Sequence, residues 1–186
     1  MQDGGSTDGT LDVLQSDRRI GPDIISAPDT GIYDAINKGI ARATGDVIGL
    51  LHADDQLADP TVLAKVAACL TAPEIDGVYG DLHYITADGR VLRHWTAGAF
   101  ARSRLKWGWM PPHPTLYLRR RVFDQLGAYD ASFRIAGDYE AMLRYLTAGV
   151  RLAYLPQVMV QMRVGGASNG SVRQLIRKSR EDYRAI

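Results

Sequence analysis

The sequence lacks the features that mark several common classes of protein. It has one cysteine in 186 residues, which excludes an internal disulfide and fits a reducing compartment. No apolar run approaches the roughly 20 residues that span a bilayer, and a formal net charge of +1 gives no global field of the kind that nucleic-acid-binding proteins use. These absences predict a single cytoplasmic domain, and they leave contact with the inner face of a membrane open.

Several catalytic and cofactor motifs are also absent. The four histidines are too scattered for a zinc spacing, and neither the serine motif G-x-S-x-G nor the metalloprotease motif H-E-x-x-H occurs. The glycine-rich segment DGGSTDGT, which starts at Asp3, is neither G-x-G-x-x-G nor a Walker phosphate loop. By itself this segment predicts only a strand-to-helix turn, and covalent catalysis is disfavoured.

Short apolar runs alternate with segments of helical period along the chain. This alternation predicts β-α-β units and a largely parallel sheet. Strands are predicted at residues 23–27, 47–51, 77–85, 91–95, 115–118, 151–155 and 158–162, and helices at residues 32–44, 61–70, 121–126, 139–147 and 171–186.

Two adjacent acids, Asp54 and Asp55, follow the apolar run 47–51. Ligands of open α/β sheets bind beyond the carboxyl ends of strands, and hard divalent cations take carboxylate oxygens together with substrate phosphates and water. The pair therefore indicates a cation site for a phosphorylated substrate. The alternative is a helix N-terminus, because Asp59 and Pro60 form a good start for helix 61–70.

Residues 98–114 resist assignment to regular structure because Pro111, Pro112 and Pro114 crowd their end. Trp107 and Trp109 lie here among basic residues. Long ordered loops in compact domains are usually functional, which favours an acceptor-binding flap. A membrane-surface segment and simple core packing of the tryptophans remain alternatives.

Asp138 precedes an apolar-periodic segment, where an isolated acid is first of all a helix cap. A carboxylate within hydrogen-bond reach of an acceptor hydroxyl also suits a general base. The two roles are compatible, so the cap does not exclude catalysis.

Six segments, in this order, resemble the family-2 inverting glycosyltransferases of the GT-A fold. They are DGGSTDGT (3–10), SAPDTGIYDAINKGIARATGD (26–46), HADD (52–55), PPHPTLYLRR (111–120), FRIAGDYEAMLR (133–144) and MRVGGASN (162–169). The chain is similar to the bacterial subgroup that assembles cell-surface polysaccharides and glycolipids. The resemblance implies one α/β domain over residues 1–186, with a GT-A-type mixed, mostly parallel sheet flanked by helices. Its nucleotide-binding part would cover residues 1–95, and its acceptor and catalytic part residues 96–186.

The same resemblance implies a reaction and its residues. The reaction is metal-dependent transfer of a sugar from a nucleotide sugar to a glycan or lipid-linked glycan, with inversion. It adds one sugar per encounter, because the Q-x-x-R-W signature of processive members is absent. Asp55 would bind Mg²⁺ or Mn²⁺, and Asp138 would deprotonate the acceptor. The other implied contacts are Asp3, Asn37, Lys38 and Asp54 on the donor side, and His113 and Glu140 on the acceptor side. Trp109 is a further acceptor-side candidate because of its place in the loop 98–114.

The start of the chain departs from the family pattern. Asp3 follows only two residues, where members have a strand, a helix and a second strand. This implies that the first β-α unit is lacking, and we expect the chain alone to bind nucleotide sugar weakly or to fold poorly. The alternatives are a catalytically impaired fragment, a noncatalytic glycan-binding or partner subunit, and a nucleotidyltransferase. The last would carry a basic glycine-rich loop that this sequence lacks.

Overall fold

The fold is given by a computed structural model that describes residues 1–16, 23–164 and 180–185. None of the helices within these ranges is long and apolar enough to cross a membrane. Residues 180–185 are helical, as predicted. The rest of the predicted tail helix, and the motif MRVGGASN beyond residue 164, lie outside the described residues.

Strands and helices alternate along most of the described chain. The strands are β1 (Gln2–Asp3), β2 (Ile25–Ser26), β3 (Val47–Gly49), β4 (Gln56–Leu57), β5 (Gly77–Ile85), β6 (Val91–Trp95), β7 (Tyr117–Arg119) and β8 (Leu152–Arg163). The helices are α1 (Thr10–Ser16), α2 (Ile32–Arg42), α3 (Val62–Cys69), α4 (Arg120–Leu126) and α5 (Gly137–Thr147), and 3-10 turns occupy Arg102–Trp107 and His113–Thr115.

The described strands form two sheets of mixed direction. β1 and β2 pair in parallel as a two-stranded sheet, and the other six strands form a second sheet with the order β3-β7-β5-β8-β4, with β6 paired to β5. Four of the six strand pairings are antiparallel. The mixed α/β class is as predicted, but the mostly parallel pairing is wrong for these residues. Of the antiparallel pairs described, only β5-β6 is a hairpin, for which a short turn dictates antiparallel pairing. The other three antiparallel pairs join strands that are distant in sequence, so no local pattern sets their direction.

The long parallel pair β5-β8 forms the middle of the larger sheet. The two predicted late strands are one bulged strand, because Leu155 pairs with Gly80 and Val158 pairs with Asp81, which leaves two residues of β8 without partners. One of the two is Pro156, which has no N–H to donate to the ladder.

Helices cover both faces of this sheet. Tyr79 on β5 packs with α2, α4 and α5 in one core, whereas its neighbour Val78 packs with α3 in a second. This division follows from the alternation of side chains along a strand. Because α2 and α5 share one core, the segments that carry Tyr33 and Asp138 are held against each other.

Candidate functional site

Asp54 and Asp55 lie in the turn between β3 and β4, as the sequence predicts. The Asp55 N–H donates to the carbonyl of His52 over 3.1 Å, which closes the turn. The alternative role of helix capping belongs to Asp59, whose Oδ1 accepts from the Thr61 N–H at 2.7 Å. Capping therefore does not account for the acid pair.

Asp55 carries an unusual carboxylate oxygen. Its Oδ2 is buried and has no hydrogen-bond partner among the described residues. Burial raises the pKa of Asp55, and the nearby Asp54 charge acts in the same direction, while His52 and the Arg163 backbone oppose them. An orphaned, buried carboxylate oxygen is costly unless something positive reaches it. This oxygen fits a hard divalent cation.

Few protein ligands are available to such a cation. Within the described ranges, no group of three or more His, Cys, Asp or Glu is arranged to hold a metal. A Mg²⁺ or Mn²⁺ ion at Asp55 would therefore take much of its shell from a diphosphate and water, which is the usual pattern for Mg²⁺.

His52 and His113 lie between the turn that carries Asp54 and Asp55 and the buried Tyr129. The rings of His52 and His113 lie 6.1 Å apart between centroids, and His113 Nε2 is 2.8 Å from the Tyr129 hydroxyl. Burial, reinforced by His52, lowers the pKa of His113 to about 4, although Asp138 opposes the shift. His113 is therefore a neutral imidazole at physiological pH and can accept or donate a hydrogen bond without carrying charge.

Asp138 stands within the first turn of α5, whose N-cap is Ala136. The predicted capping role is therefore wrong, because the helix begins one residue before Asp138. Its Oδ1 accepts from the Tyr139 N–H at 2.9 Å and from the Tyr33 hydroxyl at 3.2 Å. Its Oδ2 makes no hydrogen bond to any residue that the structure describes. One oxygen is thus fixed by donors, and the other is free to accept a proton from an incoming hydroxyl.

Tyr33 and Gly137 fix the position of Asp138 by close packing. The single proton of the Tyr33 hydroxyl is shared between two acceptors, the Ile135 carbonyl at 2.6 Å and Asp138 Oδ1 at 3.2 Å. The Tyr33 ring stacks on Tyr129 at 5.8 Å. A Cβ at Gly137 would lie 2.8 Å from the Tyr33 ring. Burial raises the pKa of Tyr33, so the phenol keeps its proton and remains a donor to Asp138.

A residue of the terminal helical segment holds the loop that leads to Asp138. Glu181 Oε2 accepts from the backbone N–H groups of Ile135 at 2.8 Å and Ala136 at 2.9 Å. Backbone donors that precede a helix are satisfied here by a carboxylate, which suits the positive end of the helix dipole.

Asp3 is the centre of a separate hydrogen-bonded turn. Its carboxylate accepts from the Ser26 and Ser6 hydroxyls at 2.6 and 2.5 Å and from the Gly5 N–H at 2.9 Å. These bonds hold its pKa well below the usual range, with the Ser26 bond first among them. The turn thus presents a permanent negative charge at the end of β1, where a donor contact is predicted.

Asn37 and Lys38 are engaged within the protein. The Asn37 side chain donates to the Tyr129 carbonyl at 2.7 Å and accepts from the Tyr129 N–H at 2.9 Å. Lys38 Nζ bonds the Pro28 carbonyl at 2.9 Å and Asp34 at 3.0 Å. Asn37 therefore holds the segment whose tyrosine touches His113, and Lys38 holds the loop after β2. Their contact with the nucleotide stays a prediction.

Trp109 and Glu140, two of the three acceptor-side candidates, have partners within the fold. Trp109 donates from Nε1 to the Ala97 carbonyl at 3.0 Å and packs edge-on against Tyr79. Glu140 pairs with Arg144 at 2.8 Å. Both side chains are bound into the fold, whereas His113 contacts Tyr129, which stacks on the Tyr33 ring whose hydroxyl bonds Asp138.

Sequence reasoning missed four residues of this network. His52 and Tyr33 lie in segments that carry the resemblance but have no implied role, and Tyr129 and Glu181 lie outside those segments. The four residues meet only through folding. The sequence offers only a weak indication for Tyr33, which lies in the first turn of the predicted helix that carries Asn37.

Comparisons with known proteins agree with this geometry. The model of the family "Glycosyl transferase family 2" matches residues 2–136. A PGL/p-HBAD biosynthesis glycosyltransferase of Mycobacterium bovis is 35% identical over 175 residues, which cover 91% of this chain and 66% of that protein. The O-antigen biosynthesis protein RfbC of Myxococcus xanthus is 31% identical over 74% of this chain and 11% of its own length. The chain thus spans somewhat less than two thirds of the mycobacterial relative.

Solved structures show the same fold. S. aureus TarS 1-349 in complex with UDP-GlcNAc superposes with a TM-score of 0.74 at 14% identity, over 98% of this chain and 53% of its own. The mannosyltransferase PcManGT of Pyrobaculum calidifontis, in complex with GDP-Man and Mn²⁺, gives 0.64 at 17% identity, over 95% and 50%. The predicted GT-A fold is confirmed.

Proposed function

Because this chain belongs to glycosyl transferase family 2, we propose that it transfers a sugar from a nucleotide sugar to a glycan or lipid-linked glycan, with inversion. The observation that carries the proposal is the contact path between the acid turn and Asp138. The path starts at the Asp55 N–H, which bonds the His52 carbonyl, and passes between the rings of His52 and His113. It continues through the 2.8 Å contact of His113 with Tyr129 and the stacked Tyr33 ring to Asp138. This continuity supports assigning the two carboxylates to one site. A single displacement needs both a stabilised leaving group and a base on the opposite side.

Three acidic residues, Asp3, Asp54 and Asp55, would bind the nucleotide-sugar donor and its cation. Asp55 would hold the divalent cation through its orphaned Oδ2, with Asp54 beside it. The bound cation supplies positive charge that neutralises a leaving diphosphate. Asp3 lies at the end of β1 with its carboxylate ionised, as a contact for nucleotide hydroxyl or base N–H groups requires.

The acceptor side is organised by Asp138. Its unengaged Oδ2 takes the proton of the acceptor hydroxyl, while Oδ1 stays on Tyr33 and the Tyr139 N–H. The acceptor oxygen then bonds to the anomeric carbon as the bond to the diphosphate breaks, which gives inversion. Neutral His113 adds no competing positive charge beside the base. General-base catalysis of this kind contributes about 10²–10⁴-fold.

The test is release of nucleoside diphosphate from nucleotide sugars in the presence of an acceptor. We expect release with Mn²⁺ or Mg²⁺ and none with EDTA. Release of pyrophosphate instead would support a nucleotidyltransferase. Tight glycan binding without nucleotide binding would support a noncatalytic subunit, and either result would overturn the proposal.

One surface favours contact with an anionic bilayer, the setting of a lipid-linked acceptor. Trp107 is 88% exposed at the end of the turn Arg102–Trp107, and Arg102, Arg104 and Lys106 are exposed around it. No acidic residue occurs between Asp88 and Asp124. A tryptophan with nearby cations suits the headgroup region, where each cation contributes about 1 kcal/mol.

Sedimentation with vesicles tests this contact. We expect binding to vesicles that contain phosphatidylglycerol, weaker binding at high salt, and little binding to phosphatidylcholine alone. Trp107→Ser should reduce binding, whereas Tyr183→Ser, at an aromatic that is 84% exposed elsewhere, should not. Equal binding of the two variants would contradict the proposal.

A further inference from the structure

Two histidines outside the site described above face each other across the β5-β6 hairpin. His83 on β5 and His94 on β6 are direct cross-strand partners. Their rings lie 4.8 Å apart between centroids, and His83 Nε2 is 2.8 Å from His94 Nδ1. The two ring nitrogens are therefore hydrogen-bonded to each other at an exposed position, one as donor and the other as acceptor.

A buried carboxylate lies behind this pair. Asp81 Oδ2 is 3.7 Å from His94 Nε2, and the Asp81 side chain is only 8% exposed. Its other oxygen accepts from the Ala97 N–H at 2.9 Å and from the Tyr154 hydroxyl at 2.8 Å. Asp81 Oδ1 is thus held by two donors, and Asp81 Oδ2 is the oxygen nearer to the His94 ring.

The arrangement resembles a recurrent feature of metal centres, in which a ligating histidine donates its second N–H to a carboxylate. At 3.7 Å the His94–Asp81 pair is longer than a hydrogen bond, so the ring would have to turn toward Asp81 when it binds a metal. Two nitrogens at about 2.05 Å from a tetrahedral ion stand roughly 3.3 Å apart. The observed 2.8 Å is a hydrogen-bond distance, so a bound ion would take the place of the shared proton and the two nitrogens would have to move about 0.5 Å apart. The His94 side chain is 46% exposed, so water can complete the coordination shell.

We propose that His83 and His94 form a binding site for a borderline divalent metal such as Zn²⁺, Ni²⁺ or Cu²⁺, with Asp81 orienting His94. Imidazole nitrogens select these ions, whereas the carboxylates at Asp55 suit Mg²⁺ and Mn²⁺. The two sites therefore differ in ligand chemistry. β6 pairs only with β5 among the described strands, so the bound metal clamps an edge strand to the middle of the sheet.

Calorimetric titration of the whole chain with ZnCl₂, in excess Mg²⁺ to occupy carboxylates, tests the site. We expect saturable binding of one Zn²⁺ and a higher melting temperature with Zn²⁺, because a ligand that binds only the folded state stabilises it. His83→Ala and His94→Ala should each weaken binding by at least about tenfold, and Asp81→Asn by about tenfold. His52→Ala is the matched control and should keep this binding.

Histidine ring signals in NMR spectra of the wild-type chain give a second measurement that needs no variant to fold. Zn²⁺ should shift the signals of His83 and His94. No saturable Zn²⁺ binding by the folded wild type would overturn the proposal. Unchanged binding in both alanine variants, or shifts confined to His52 and His113, would also overturn it.

Discussion

Replacing Gly137 with alanine tests how tightly the site around Asp138 is packed. A Cβ at this position would lie 2.8, 2.9 and 2.9 Å from three atoms of the Tyr33 ring. The ring cannot easily retreat, because its hydroxyl bonds the Ile135 carbonyl at 2.6 Å and its face stacks on Tyr129. The added methyl group must therefore move the start of α5, and Asp138 with it.

The expected magnitude follows from this clash. Overpacking of a well-filled core costs about 1–3 kcal/mol of unfolding free energy. A shift of a catalytic group by about 1 Å costs on the order of 10²-fold in turnover. Urea unfolding measures the first quantity, and release of nucleoside diphosphate measures the second.

Gly39→Ala is the matched control. Gly39 lies within α2, and its added Cβ would meet only Gln2 Cβ at 3.8 Å, an ordinary contact. This change should stabilise the protein by about 0.5–1 kcal/mol, because glycine weakens a helix interior.

A double-mutant cycle identifies the cause. If the clash with the ring is responsible, Gly137→Ala should cost less in a Tyr33→Leu background, with a coupling of about 0.5–3 kcal/mol. Gly137→Ala with wild-type stability and turnover would refute the packing argument. Equal costs in both backgrounds would show that Tyr33 is not the obstacle.

Two further predictions concern the same network. Asn37→Ala should lower the unfolding free energy by about 1–3 kcal/mol, because it leaves the Tyr129 N–H and carbonyl without partners; an unchanged urea midpoint would contradict this. His113 has a pKa of about 4 in the folded state and about 6.5 when unfolded, so the folded state resists protonation. Stability should therefore fall as pH drops from 6.5 toward 4, and His113→Gln should flatten this dependence. An equal decline in the variant would assign the effect to other groups.

The elements of the fold were largely predictable, because the apolar periods that define α2, α5 and β5 survive in the structure. The direction of pairing was not predictable in the same way. β7 enters the sheet between β3 and β5 after a long irregular segment, and no local pattern encodes that position. The merging of two predicted strands into β8 depends on the bulge beside Gly80, which is a property of the pair and not of either strand.

Some residues of the candidate site could also be predicted from the sequence, whereas others could not. Asp55 and Asp138 stand out in the sequence because each is an acid at the end of a predicted strand or the start of a predicted helix. An acid at such a position has few roles, namely helix capping, metal binding or general-base catalysis. Tyr33, Tyr129 and Glu181 do not stand out, because their contribution is a contact with a distant segment. Trp109 resembled an acceptor residue by composition, but its indole N–H bonds Ala97, which favours the packing alternative for this tryptophan.

The central claim is that Asp55 and Asp138 serve opposite halves of one displacement. Calorimetric binding of nucleoside diphosphate with Mn²⁺, measured beside sugar transfer on the same variants, tests it most directly. We predict that Asp138→Asn keeps the metal-dependent nucleotide affinity but loses transfer, whereas Asp55→Asn loses both. Full transfer by Asp138→Asn, or undiminished Mn²⁺-dependent binding by Asp55→Asn, would contradict the account.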